Sequence, residues 1–171
     1  MTTLYTTVDS PLGELLLVGE EPAAGSVGPV ALVSLSLPGQ KGGAVVQDGW
    51  LRVPGVFDGI AGQLRAYFEG RLTRFDFTRA EGRGTDFQRR VWAALDSVPY
   101  GETVSYGQIA GQVGVSGAGV RAVGTAIGRN PLLVVRPCHR VIGADGALRG
   151  YAGGLASKER LLGLEGALVA R

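Results

Sequence analysis

Short β-rich apolar runs occupy the first part of the chain, the last of them alternating apolar with small polar residues, and apolar positions then recur every three to four residues, so the pattern predicts strands first and helices afterwards. Short β-rich runs cover 4–8, 14–19 and 29–36, and Ser10-Pro11-Leu12-Gly13 turns the chain between the first two. A small antiparallel sheet is expected from them. Residues 38–49 read as a loop and a poorly packed edge. Over 56–70, Val56, Ile60, Leu64, Tyr67 and Phe68 share one helical face, which covers the sheet and ends at Gly70. An extended connector, 71–78, leads into the polar, glycine-containing 79–84, and the domain boundary is expected there, giving domains 1–83 and 84–171.

The second domain is helical in pattern. Thr85 is a plausible N-cap for a helix over 86–98 that turns Phe87, Val91, Ala94, Leu95 and Val98 inward before Pro99 stops it. Ser105 caps a short helix opening at Tyr106, and a break at 115–117 precedes a further helix from Ala118 whose inward face is Val120, Val123, Gly124 and Ile127. On its outer face lie Ala118, Arg121, Ala122 and Thr125, small side chains around one long cation. Such a face lets a helix press into a nucleic-acid groove, although a buried helical hairpin has the same pattern. Ala144-Asp145-Gly146-Ala147 signals a hairpin that would stand as a wing beside the two helices. Ser157 is expected to cap a final helix running from Lys158 to Gly166.

With 171 residues the chain can bury a real core without metals or disulfides. Its net charge of +2 conceals an asymmetry: residues 1–83 hold seven Lys and Arg against nine Asp and Glu, and residues 84–171 hold ten against six. The basic half permits a polyanionic partner. No apolar run is long enough to span a bilayer, and the opening residues lack a secretory pattern, so a cytoplasmic protein is expected.

The basic half also contains the only cysteine and the only histidine of the chain, Cys138 and His139, side by side. One of each fills no zinc site by itself, and neither a metal nor a cofactor is expected. A lone buried cysteine is usually inert, but Arg136, His139 and Arg140 would favour a thiolate over the ordinary thiol of pKa about 8.5. If the pair alternates along an extended segment, His139 reaches the thiol through a bridging water. Glu165 in the last helix is the carboxylate available to hold the imidazole.

Three stretches in order, residues 84–110, 120–131 and 137–166, the last opening Pro-Cys-His-Arg-Val, resemble the O6-alkylguanine-DNA alkyltransferases, also called methylated-DNA–protein-cysteine methyltransferases. A weaker similarity covers 10–19 and 63–77. The resemblance implies an α+β protein with a small antiparallel-sheet-plus-helix domain, ribonuclease-H-like, followed by a winged helix-turn-helix-like domain. It implies that O6-alkylguanine, especially O6-methylguanine, with O4-alkylthymine as a further candidate, is flipped out of double-stranded DNA. The alkyl group then moves irreversibly to Cys138 in a single turnover. By the same resemblance His139 is the water-mediated base, Glu165 orients it, and Asn130 is a hinge joining the recognition helix to the active-site segment. Tyr106 stabilises the departing guanine. Backbone groups of Cys138, Val141 and Ala152 read the base edge, Tyr151 walls the pocket, Lys158 lies near it, and Arg121 fills the gap left by the flipped base. The implied protein is a monomer in solution, cytoplasmic and nucleoid-associated on DNA, with cooperative assembly on DNA left open.

Two positions depart from the family pattern: Arg136 stands where an apolar residue is usual, adding charge near the thiolate, and Ala152 lacks a hydroxyl some relatives carry. A cysteine hydrolase normally draws its nucleophile and base from separate segments, which speaks against that class. An alkylguanine sensor without transfer activity lacks the cysteine. A regulator that uses cysteine alkylation as its signal shares every feature named here.

Overall fold

The computed structural model describes residues 2–167, so the outermost ends of the two expected domains, residue 1 and residues 168–171, lie outside the described residues. The chain divides into two compact units, Met1–Gly82 and Arg83–Arg171, in a mixed α+β architecture.

In the first unit, β1 (Leu4–Ser10), β2 (Gly13–Glu20), β3 (Ala31–Ser36) and the short β4 (Leu51–Arg52) form one sheet in the order β3-β2-β1-β4. The three long strands pair antiparallel, Ser10 facing Gly13 across a two-residue turn, whereas β4 runs parallel to β1. Helix α1 (Asp58–Phe68) buries Ile60, Leu64 and Tyr67, the i, i+4, i+7 stripe that its sequence spacing predicts. A 3-10 turn at Pro54–Phe57 precedes it, and this tighter winding carries Phe57 fully into the core while Val56 stays half-buried. Gly70 closes α1 in the left-handed region at φ 78°.

The second unit opens with α2 (Asp86–Asp96), followed by β5 (Val104–Ser105), α3 (Tyr106–Gln112), α4 (Gly119–Gly128), β6 (Val141–Ile142) and α5 (Leu155–Leu164). Thr85 and Ser105 both form capping boxes, Thr85 with Gln88 and Ser105 with Gln108, each satisfying two backbone donors that would otherwise lack partners. Trp92 of α2 donates its indole N–H to Ala126 O at 2.9 Å and ties α4 down. The buried stripe of α4 is accordingly Val123, Ala126 and Ile127, with Val120 and Gly124 only half-buried. Parallel pairing of β5 with β6 sets Val104 beside Val141 and Ser105 beside Ile142, which brings the start of α3 next to the Cys-His segment.

Two expectations are corrected here. The turn after β6 forms, Gly143 N donating to Ala147 O at 2.8 Å, but residues 147–150 build no returning strand, so no wing hairpin is present. Strand β6 pairs with β5, and the carbonyls of Arg149 and Gly150 accept from Lys158 Nζ. Ser157 is not a cap: α5 begins at Leu155 behind Gly154, and Lys158 N already donates to Gly154 O at 3.1 Å.

Candidate active site

Between α4 and the Cys-His pair the backbone makes two very tight turns in succession. Val134 N and C=O lie inside the first, in which Val135 N donates to Leu133 O at 2.7 Å, and Val134 itself sits at φ 68°. A β-branched residue in this region is strained by about 1–3 kcal/mol and persists only when its surroundings hold it. In the second, Cys138 N donates to Arg136 O at 2.7 Å around Pro137, which has φ −79° and ψ 57°. Asn130 straps both turns. Its Oδ1 accepts from Leu132 N at 3.0 Å, and its Nδ2 donates to Arg136 O at 3.0 Å and to Leu132 O at 3.4 Å. Buried and at the end of α4, Asn130 thereby fixes where the chain enters Cys138.

Cys138, His139 and Arg140 form a 3-10 turn rather than an extended segment, and all three are buried. The expected lowering of the thiol pKa by nearby cations does not prevail. Burial pushes Cys138 up to about 11, against opposing pulls from a side-chain hydrogen bond with Asn130, the ammonium of Lys158, a backbone hydrogen bond and, last, Arg136. Arg136 instead stacks over the Trp92 ring at 5.2 Å and pairs with Asp96 at 3.5 Å. A thiol this protected should react with iodoacetamide in the unliganded protein at a rate that climbs about tenfold per pH unit through the usual thiol range. The climb should bend only near the value of about 11 set by burial. A plateau below about pH 9 would contradict this environment.

His139 Nε2 lies 2.8 Å from Glu165 Oε2. A carboxylate only accepts, so Nε2 carries the hydrogen and donates it, leaving Nδ1 with its lone pair. Among the described residues Nδ1 is buried without a hydrogen-bond partner. Burial, joined by the charges of Arg140 and Lys158, lowers the His139 pKa against the upward pull of Glu165, so the ring is neutral at physiological pH. Glu165 is the C-cap of α5, where Gly166 turns away at φ 70°. An anion there opposes the helix dipole. Arg140 offsets this: its Nε donates to Glu165 Oε1 at 2.7 Å, its Nη2 to Oε2 at 3.0 Å, and its Nη1 to Val98 O at 2.7 Å. Arg140, expected beside the thiol, serves the carboxylate instead. The available signal was the need of any buried carboxylate for a cation.

Lys158, fully buried, donates from Nζ to Val141 O at 2.6 Å, Arg149 O at 3.3 Å and Gly150 O at 3.4 Å, using its three protons. Burial lowers its pKa to about 8, with Cys138 pulling upward. Its Nζ is 5.9 Å from the centre of the Tyr106 ring. The Tyr106 phenol is raised above its ordinary value by burial and by Cys138, so it keeps its proton. Among the expected edge-reading groups, Val141 O accepts from Lys158, Cys138 O from Val141 N, and each carbonyl retains a second lone pair. Tyr151 and Ala152 are half-buried just before α5. Ala118, Arg121, Ala122 and Thr125 form a separate, exposed face of α4 and its cap, on which Thr125 Oγ1 donates to Arg121 O at 3.2 Å. Among the described residues no group of three or more Cys, His, Asp and Glu side chains is arranged to hold a metal ion.

Residues 86–167 match the DNA-binding domain of the 6-O-methylguanine DNA methyltransferase family. The methylated-DNA–protein-cysteine methyltransferase of Mycolicibacterium paratuberculosis is 51% identical over 161 residues, covering 94% of this chain and 91% of that protein. The protein of the same description from Methanosarcina acetivorans is 45% identical over 162 residues, covering 95% and 97%. Among solved structures, Mycobacterium tuberculosis OGT in complex with DNA superposes with a TM-score of 0.81 at 49% identity, over 96% of this chain and 93% of that one.

Proposed function

The chain belongs to the methylated-DNA–protein-cysteine methyltransferase family, and on that footing we propose that it repairs DNA by moving the alkyl group of an O6-alkylguanine onto Cys138, once per molecule. O6-methylguanine is the principal substrate and O4-alkylthymine a further one. The observation that carries the reading is the pairing of a buried thiol with an imidazole whose Nε2–H is committed to Glu165 and whose buried Nδ1 is left as the base.

At rest the thiol and the imidazole are both neutral, which guards the nucleophile until substrate arrives. The Cys138 proton passes to His139 Nδ1 through a water, and Glu165, itself held by Arg140, stabilises the imidazolium. The thiolate sulfur attacks the alkyl carbon. The S–C bond forms as the C–O6 bond breaks, and its electron pair goes to the guanine oxygen. Tyr106, kept protonated, donates a hydrogen bond to the departing base, and the proton that His139 took from Cys138 returns through water to the guanine ring, leaving guanine and a neutral imidazole. Asn130 holds the approach to Cys138, Val141 and Ala152 meet the base edge through their backbone, Tyr151 walls the pocket, and Lys158 pins the segments on either side of it.

The second unit is the DNA reader, a winged-helix-like variant lacking the wing strand, and the first is a ribonuclease-H-like scaffold. The small residues Ala118, Ala122 and Thr125 let α4 approach the duplex, and Arg121 occupies the gap left by the flipped nucleotide, offsetting an unstacking cost of about a few kcal/mol. The protein acts as a monomer in the cytoplasm, nucleoid-associated when bound. No helix among the described residues is long and apolar enough to cross a membrane.

The test is intact-mass measurement after mixing with a duplex containing O6-methylguanine. One methyl group per molecule is expected, located on the peptide containing Cys138. Sustained turnover with unmodified protein recovered at the end would refute the reading.

A further inference from the structure

The turn that follows β6 carries a cation that the chemistry above does not use. Gly143 N donates to Ala147 O at 2.8 Å and Gly146 N to Gly143 O at 2.9 Å. Within this turn Asp145 accepts twice, Oδ1 from Ala147 N at 3.0 Å and Oδ2 from Arg149 Nη2 at 3.0 Å. The Arg149 side chain therefore folds back over the turn. A Cβ on Gly143 would lie 2.6 Å from Asp145 Oδ1 and 2.9 Å from Arg149 Nε, so the glycine keeps the room that this pair occupies.

Arg149 is also tied to the reacting site through its backbone. Its carbonyl accepts from Lys158 Nζ at 3.3 Å, and the same ammonium faces the Tyr106 ring. The guanidinium charge is felt at Tyr106, whose phenol it pulls downward against burial. With 57% of its side chain exposed, Arg149 presents donors to solvent. A surface arginine normally loses much rotamer freedom when it binds, and the Asp145 tether removes part of that loss in advance. Five donors in a planar fork suffice for a carboxylate on one side and a phosphate on the other.

We propose that Arg149 is a specificity-determining residue that grips a phosphodiester of the strand carrying the extrahelical nucleotide, so that the site favours a base held in DNA over the same base free. The inference rests on the alkyl-transfer reading above. The grip acts through short hydrogen bonds, and a point charge at this position replaces it only in part.

The experiment measures alkyl-transfer rate constants for the parent protein, Arg149→Ala and Arg149→Lys, on an O6-methylguanine duplex across a salt series and on free O6-benzylguanine base. For Arg149→Ala the duplex rate should fall about tenfold or more, and the slope of log rate against log salt should shrink by about one, as for loss of one phosphate contact. The free-base rate should stay within about twofold, since no phosphate is present. Arg149→Lys should recover the slope and only part of the rate. An unchanged duplex rate and slope in Arg149→Ala would overturn the proposal, as would an equal loss on both substrates. Absence of transfer from either substrate by the parent protein would instead overturn the alkyl-transfer reading, and this inference with it.

Discussion

Cys138→Ser abolishes alkyl transfer while leaving affinity for an alkylated duplex within a few-fold of the parent protein. The hydroxyl proton is far harder to remove than the thiol proton, and an environment that already pushes the thiol up to about 11 disfavours an oxyanion as well. The fold has little to lose. Serine is slightly smaller than cysteine, Asn130 hydrogen-bonds the cysteine side chain and remains available to a hydroxyl, and the turns before residue 138 are held by Asn130 through backbone groups. The exposed α4 face with Arg121 is untouched. Rates come from transfer assays with labelled duplex and affinities from titration of the same duplex at one fixed salt concentration, since phosphate contacts make affinity salt-dependent. If binding collapses together with transfer, Cys138 is a structural residue and the assignment of nucleophile fails.

What could be read from the chain before folding was what depends on near neighbours. The caps at Thr85 and Ser105 work over three residues, and the Ile60-Leu64-Tyr67 stripe over two turns, so each is written in a short window. The adjacency of Cys138 and His139 marked the chemistry for the same reason. Glu165, the carboxylate that the sequence offers to His139, lies 2.8 Å from it, but nothing local announces that Arg140 completes the pair from 25 positions away. The burial of the thiol at Cys138 is not legible in the sequence. Counting cations around Cys138 predicts a depressed thiol pKa, whereas desolvation, which depends on what packs from Asn130 and Lys158, reverses the sign. The missing wing strand has a similar origin. The turn residues at 144–147 promise a hairpin, but a buried lysine from α5 takes the carbonyls of 149 and 150.

Glu165→Gln is expected to damage stability and catalysis through separable routes. Glu165 is buried and accepts from both His139 and Arg140, so its neutral replacement leaves the guanidinium of a largely buried arginine without its counter-charge. Breaking one partner of such a pair costs about 3–5 kcal/mol. At about 2–4 °C per kcal/mol for a chain of this size, the melting temperature should fall by on the order of 10 °C. Transfer should slow by on the order of a hundredfold or more, because an amide cannot stabilise an imidazolium and can present its N–H to Nε2, which fixes the wrong tautomer. The double variant Arg140→Met with Glu165→Gln separates the two effects: removing both charges should restore much of the melting temperature, while transfer stays as slow as in the single variant. Free O6-benzylguanine base is the substrate of choice, since it excludes any change in DNA binding. If the double variant recovers rate in step with stability, Glu165 serves the fold alone, and His139 takes its orientation from elsewhere.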